Sequence, residues 1–163
     1  MKKIYIILKD TRFQEYVRKN FKAEKKRAFC HHNFEHLLSV ARIAYILVLE
    51  QGLQSEFSKE MVYASALLHD IGRWKEYETG KDHALLSAEM AREILEQAGF
   101  ERKDMAKILR SIKEHRGPEH IERTILGDIL HRADIFSRSC FDCAAQEKCY
   151  KFDSMPTSRG LWY

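Results

Sequence analysis

Residues 61 to 68 read MVYASALL, and on a helix this run is apolar on nearly every face. A helix of that kind has no solvent side, so it must sit inside a shell of other elements. The rest of the chain supplies helices for that shell. Apolar residues recur at helical spacing, and the two prolines and seven glycines fall mostly between the periodic segments as punctuation. No alternation long enough for a sheet and no internal repeat is present. With 163 residues and 45% hydrophobic content, one core is affordable. The expected fold class is all-α: a single-domain helical bundle of about six helices over residues 1–150, followed by a loosely held tail, KFDSMPTSRGLWY, at 151–163.

The spacing predicts a first helix over 11–27, with Thr11 as a possible cap and Phe13, Tyr16 and Val17 inward. The run KAEKKR reads as a solvated face or turn, with a phosphate-contacting patch as the alternative. A second helix is expected over 33–51, carrying Leu37, Leu38, Ala41, Ala44, Ile46 and Leu49 and ending at Gly52. The central third helix runs from a Ser58 cap to the Asp70 region. A fourth, from Asp82 to about Ala98, places Leu85, Ala88, Ala91, Ile94 and Leu95 inward and stops at Gly99. Two more follow at 102–115 and 122–138, divided by GPE at 117–119.

Charge and cysteine usage exclude several classes. Lys and Arg total 28 against 24 acids, and the resulting +4 is dispersed, so there is no strong nucleic-acid signal. MKKIYIILKD begins like a signal peptide, but its apolar run meets Lys9 after five residues, so neither a secretion signal nor a membrane span is expected. Four cysteines, three of them crowded near the end, do not resemble a secreted disulfide framework. The expected compartment is the cytoplasm.

The central run ends on His69 and Asp70, in ALLHDIGRW. Burying that pair costs several kcal/mol unless something compensates, and a divalent metal compensates both. Adjacent helical residues point about 100° apart. The two therefore reach one ion only where the chain leaves helical geometry, as Ile71 and Gly72 allow. Alone, an HD dipeptide also fits a buried His–Asp hydrogen bond. Partners stand on other predicted helices: His36 in FEHLLSVAR and Asp134 in HRADIFSR. Two imidazoles and two carboxylates suit an octahedral ion such as Mn, Fe, Co, Ni or Mg better than tetrahedral zinc, leaving positions for water and substrate.

The order H…HD…D resembles the HD-domain superfamily of metal-dependent phosphohydrolases. Four stretches between Phe29 and Cys149 carry the resemblance: CHHNFEHLLSVARIAYIL, YASALLHDIGRW, IKEHRG and HRADIFSRSCFDCAAQEKC. They look like a small bacterial subfamily that keeps a cysteine cluster after the last aspartate. The resemblance implies a helical bundle with His36, His69, Asp70 and Asp134 around a metal. In relatives with dinuclear centres, one added histidine follows the HD pair, another precedes the last aspartate, and the aspartate of the pair bridges the ions. His83 and His115 match that order; the other reading is that they contact substrate phosphate or cap helices.

The implied catalytic set is Asp70, His83 and His115, with water activated for attack on phosphorus. Arg73 and Arg116, each beside a ligand motif, are the first candidates for substrate phosphate, followed by Arg42 and Arg138; any of them could instead pair with a surface acid. His32 shares a face with His36 and reads as a support for the site or a substrate contact. His131 either orients Asp134 or simply packs. His31 and His120 are expected on the surface. No P-loop or dinucleotide glycine pattern occurs, so a nucleotide would be a substrate. Cys140, Cys143 and Cys149, with Cys30 as a fourth, form a candidate structural site for zinc or iron–sulfur; small buried or free thiols are the alternative. Three functions follow. The first is hydrolysis of a small phosphate ester, nucleotides foremost, as partner. The second is an HD-type di-iron oxygenase, and the third a non-catalytic ligand-binding or redox-sensing module. Spacing does not reveal the oligomeric state.

Overall fold

The structure, a computed structural model, describes residues 1–117 and 122–163. The described residues form α1 (Lys2–Lys9), α2 (Thr11–Glu24), α3 (Phe34–Glu50), α4 (Lys59–Leu68), α5 (Arg73–Thr79), α6 (His83–Gln97), α7 (Arg102–Glu114) and α8 (Ile125–Phe136), then four 3₁₀ turns between Cys140 and Ser158. Among the described residues there is no strand, and the all-α expectation holds. Among the described residues no helix is long and apolar enough to cross a membrane. His120, expected on the surface, lies outside the described residues.

α4 is the central helix that its composition demands. It packs against α3 and α7 and also touches α1, α6 and α8. Met61, Val62, Ala64, Ser65, Ala66, Leu67 and Leu68 are all buried, so seven of its ten residues face protein on every side. Around it, Leu37, Leu47, Ile94, Leu95, Ile108, Ile112, Ile129 and Leu130 close the core.

The helix starts follow from short polar side chains that satisfy the first free N–H groups. Asn33 accepts from His36 N–H at 3.0 Å and Asp82 from Ala84 N–H at 2.7 Å. Ser58 caps α4 as expected, and Thr124 caps α8. At α2 the cap is Asp10 rather than Thr11, because the aspartate side chain accepts from both Arg12 and Phe13 N–H. α2 also stops at Glu24 instead of residue 27.

Two helices go beyond the six expected. α1 is short but amphipathic, burying Ile4 and Ile7 one turn apart. α5 buries no residue, so its sequence carries no apolar stripe to read, and Gly80 ends it at φ 71°. Three residues expected inward are exposed: Ile46, Leu49 and Leu85. α3 buries Leu37, Ala41 and Ala44 as expected, and toward its end turns Leu47 and Val48 to the core in place of Ile46 and Leu49. At the far end, Trp162 stacks on Phe136 with the rings 2° from parallel and 5.3 Å apart, and Tyr163 donates to Glu50 at 3.0 Å. The expected loose tail thus lies against α8 and the end of α3.

Candidate metal centre

Six side chains meet where five helices begin or end. His36 is in the first turn of α3, His69 and Asp70 follow α4, His83 opens α6, His115 follows α7, and Asp134 is in the last turn of α8. One ligand atom each from His36, His69, Asp70 and Asp134 all lie within 4.8 Å of one another, and the same holds for Asp70, His83 and His115. The two sets share Asp70 through different oxygens. Its Oδ2 is 3.1 Å from His69 Nε2 and 3.7 Å from His36 Nε2; its Oδ1 is 3.1 Å from His83 Nε2 and 3.7 Å from His115 Nε2. Asp134 Oδ1 is 3.1 Å from His36 Nε2. All are buried except Asp134, which is half-buried.

Hydrogen bonds on the outer ring nitrogens fix how the imidazoles point. His69 Nδ1 is 2.6 Å from Ala66 O and His115 Nδ1 is 2.6 Å from Ile112 O; a carbonyl only accepts, so each Nδ1 carries the proton. Ser137 Oγ donates to Asp134 O at 2.7 Å, which leaves it to accept from His36 Nδ1 at 3.2 Å. Backbone and hydroxyl contacts of this kind hold ligating histidines in orientation. They leave Nε2 facing the carboxylates. His69 Nε2, Asp70 Oδ1 and Asp134 Oδ1 are buried without hydrogen-bond partners. Such groups cost about 1–3 kcal/mol each when left so. A cation satisfies them together, so the donor set fits a divalent metal.

Charge effects agree. Burial would raise the carboxyls of Asp70 and Asp134, but the neighbouring imidazoles outweigh it, joined at Asp134 by the Arg138 charge, and both are held well below their ordinary value. Burial lowers His69, yet the Asp70 charge raises it above its usual value overall. Burial, then the charge on His69, lowers His115 to about 4. The set draws positive charge to its middle.

The turn after α4 positions the HD pair. Gly72 has φ −92°, so its glycine is not there for left-handed backbone. Space is the reason: a Cβ would stand 2.8 Å from Ser87 N and 2.9 Å from Leu86 Cβ. Its N–H donates to Ser87 Oγ at 2.9 Å, pinning the turn to α6. Asn20, fully buried on α2, donates to Asp70 O and accepts from Trp74 N–H, both at 2.8 Å.

Other candidates fall into two groups. Arg73 is half-buried and engaged on both sides, reaching His32 Nε2 at 3.0 Å, Glu76 at 3.0 Å and His83 Nδ1 at 3.1 Å. Arg116 is half-exposed and bonds Glu76 at 2.6 Å and Asp82 at 3.1 Å. Arg138 lies closer than expected, 2.9 Å from His36 Nε2, while Arg42 is exposed on α3. His131 does not orient Asp134; its Nδ1 donates to His115 O at 2.7 Å. His31 is half-buried against Arg27 O. Cys140 is buried, Cys143 and Cys149 half-buried, and Cys30 exposed, with all four thiols free.

Sequence reasoning missed Glu24. The KAEKKR run was expected to be solvated, yet Glu24 is 1% exposed. Its carboxylate accepts from His32 N–H at 2.7 Å, His32 Nδ1 at 2.5 Å and Tyr77 OH at 2.7 Å. His32 Nε2 therefore carries the lone pair and accepts from Arg73, 3.8 Å from Asp70. A lone acid among lysines leaves no signal for this. Glu76, which joins Arg73, His83 and Arg116, was also unmarked.

The model of the HD domain matches residues 33–139, a span that holds all six side chains. The chain belongs to the HD-domain family. An uncharacterized protein of Clostridium beijerinckii is 38% identical over 149 residues, covering 91% of this chain and 92% of the other. Ribonuclease Y of Pelobacter propionicus and that of Geobacter metallireducens are each 30% identical over 104 residues, 64% of this chain. This HD-domain chain spans only 18% of either ribonuclease. A crystal structure of a predicted HD superfamily hydrolase from an uncultured Thermotogales bacterium superposes with TM-score 0.56 at 30% identity, covering 76% of this chain and 66% of that one.

Proposed function

We propose that this HD-domain protein is a metal-dependent phosphohydrolase acting on a small phosphate ester, with nucleotides the first class to test. The observation that carries the reading is the shared carboxylate: Asp70 turns one oxygen to each of two donor sets, in which His69 Nε2, Asp70 Oδ1 and Asp134 Oδ1 have no hydrogen-bond partner. His36, His69, Asp70 and Asp134 would hold one divalent ion, and Asp70, His83 and His115 a second. Bound there, such ions supply Lewis acidity, activating water and neutralising charge that grows on phosphoryl oxygens.

The chain's own residues do the rest. Ala66, Ile112 and Ser137 fix the imidazoles so that each Nε2 points inward. Glu76 beside His83 Nδ1 is placed to take or return a proton there at 3.0 Å. Arg73, held by His32 and Glu76, is a cation beside the site. Arg116 and Arg138 stand at its margin, and a guanidinium there can trade an acid or imidazole for a phosphate in a two-pronged contact. The ribonuclease Y relatives align over this same segment, which supports phosphoester chemistry.

The test is elemental analysis of protein purified without chelator, then a phosphate-release screen over nucleotides with Mn, Co, Ni and Mg. Asp70→Ala should lose both metal and turnover. If that variant hydrolyses substrate as fast as the parent, the assignment is wrong. Oxygen uptake by the iron-loaded protein without phosphate release would replace it with the oxygenase reading.

A further inference from the structure

The segment after α8 has almost nothing to hold it by ordinary packing. Between Ser137 and Pro156, Cys140 is the one buried side chain, while Phe141 and Tyr150 are exposed. Yet the backbone is ordered into 3₁₀ turns, Cys140–Asp142, Gln146–Lys148 and Phe152–Ser154. Segments that cannot build a core are commonly fixed by a cross-link or a metal.

Three of the chain's four cysteines lie in this segment, and the fourth, Cys30, lies beside it. Cys140 and Cys143 lie across one tight turn, where Cys143 N–H donates to Cys140 O at 3.2 Å. Ala145 N–H donates to Cys143 Sγ at 3.4 Å. The Gln146 side-chain amide donates to Cys140 O and Phe141 O, tying that turn to the next one, which ends at Cys149. Cys30 arrives from the irregular stretch before α3, and its neighbours hold it there. The Phe29 ring meets the Tyr150 ring edge-on at 6.3 Å, and Arg138 donates to His31 O at 2.9 Å.

We propose that Cys30, Cys140, Cys143 and Cys149 form a tetrathiolate site for a divalent metal of the zinc class, separate from the hydrolytic centre. Four sulfur donors with a two-residue spacer in the first pair match what zinc binds in a closed, structural site. The sulfurs are not drawn into mutual ligating range as the histidine and carboxylate atoms are. Metal binding there would draw the four sulfurs together and hold the 137–158 segment in place. The site also has a mechanical effect. Cys30 precedes His36 on one strand of chain and Cys140 follows Asp134 on the other, so the metal clamps together the two segments that deliver those ligands.

The test uses the full chain loaded with zinc, and then with cobalt. The parent is expected to show the near-ultraviolet thiolate-to-cobalt absorption and the intense visible bands of a tetrahedral ion. Asp70→Ala keeps both; Cys143→Ser and Cys30→Ser lose them together with about one zinc per chain. The segment at 137–158 then becomes open to protease, with helical circular dichroism retained. A measurement on the unsubstituted protein guards against variants that fail to fold: in the zinc-loaded native state all four thiols should resist a thiol reagent until chelator is added. Rapid reaction of all four before chelation overturns the proposal. So do cobalt spectra without thiolate absorption, spectra unchanged by both serine variants, or the chromophore of an iron–sulfur cluster in the protein as isolated.

Discussion

Glu24 governs how the site behaves in acid. Burial works to raise its carboxyl, but the hydrogen bond and charge of His32 prevail, and its pKa falls from 4.5 to about 2. A carboxylate whose pKa is lowered on folding adds stability that is complete above 4.5 and is lost as pH drops toward 2. At about 1.4 kcal/mol per pH unit, the full contribution is roughly 3 kcal/mol. His32 acts in the same direction over a higher window. Burial lowers its pKa from 6.5 to about 4, so the unfolded chain takes up a proton first and stability declines between those values. Urea unfolding from pH 7 down to 2 should therefore show a two-part acid decline in the parent. In Glu24→Gln the part below pH 4.5 should flatten. If both proteins decline in parallel across that range, Glu24 is not the group responsible.

At the scale of elements, the tight packing of the turn after α4 makes the clearest prediction. Gly72→Ala places a methyl against the Ser87 backbone, which cannot swing aside, and overpacking of this kind costs about 1–3 kcal/mol. The same shift moves Asp70, so weaker metal retention should accompany the lower midpoint in denaturant; a variant with both unchanged would show that the turn yields freely. Asn20→Ala should cost a similar amount, because it strands Asp70 O and Trp74 N–H inside the protein. These devices explain what the sequence could and could not show. MVYASALL, the caps and the end glycines made α3, α4 and α6 to α8 legible to within about three residues, since periodicity and capping act locally. α5 was not legible, because it buries nothing and owes its place to α2 and α6. His69 and Asp70 stood out because an adjacent pair at the end of an apolar run is costly to bury without a partner, and His36 and Asp134 through the H…HD…D order. Glu24, Asn20 and Glu76 were not, since only tertiary contact separates them from the polar residues of a solvated face.

For the molecule as a whole, the centre is the point where α3, α4, α6, α7 and α8 all end against one another, so occupancy should couple to global stability. Ions that bind only the folded chain stabilise it by mass action, about 2.7 kcal/mol at a concentration one hundred times the dissociation constant. For a chain of 163 residues, each kcal/mol corresponds to roughly 2–4 °C. Chelated protein should therefore melt roughly 5–10 °C below protein at saturating manganese, with the gap growing as the logarithm of ion concentration. The shared role of Asp70 adds a sharper expectation. His115→Ala should remove one set's ion and part of the shift, whereas Asp70→Ala, which takes a donor from both sets, should remove nearly all of it. Calorimetry of the three proteins with and without manganese decides the matter. Equal shifts in the parent and Asp70→Ala would mean that the stabilising ion binds elsewhere, and the two-set reading of the centre would fail with it.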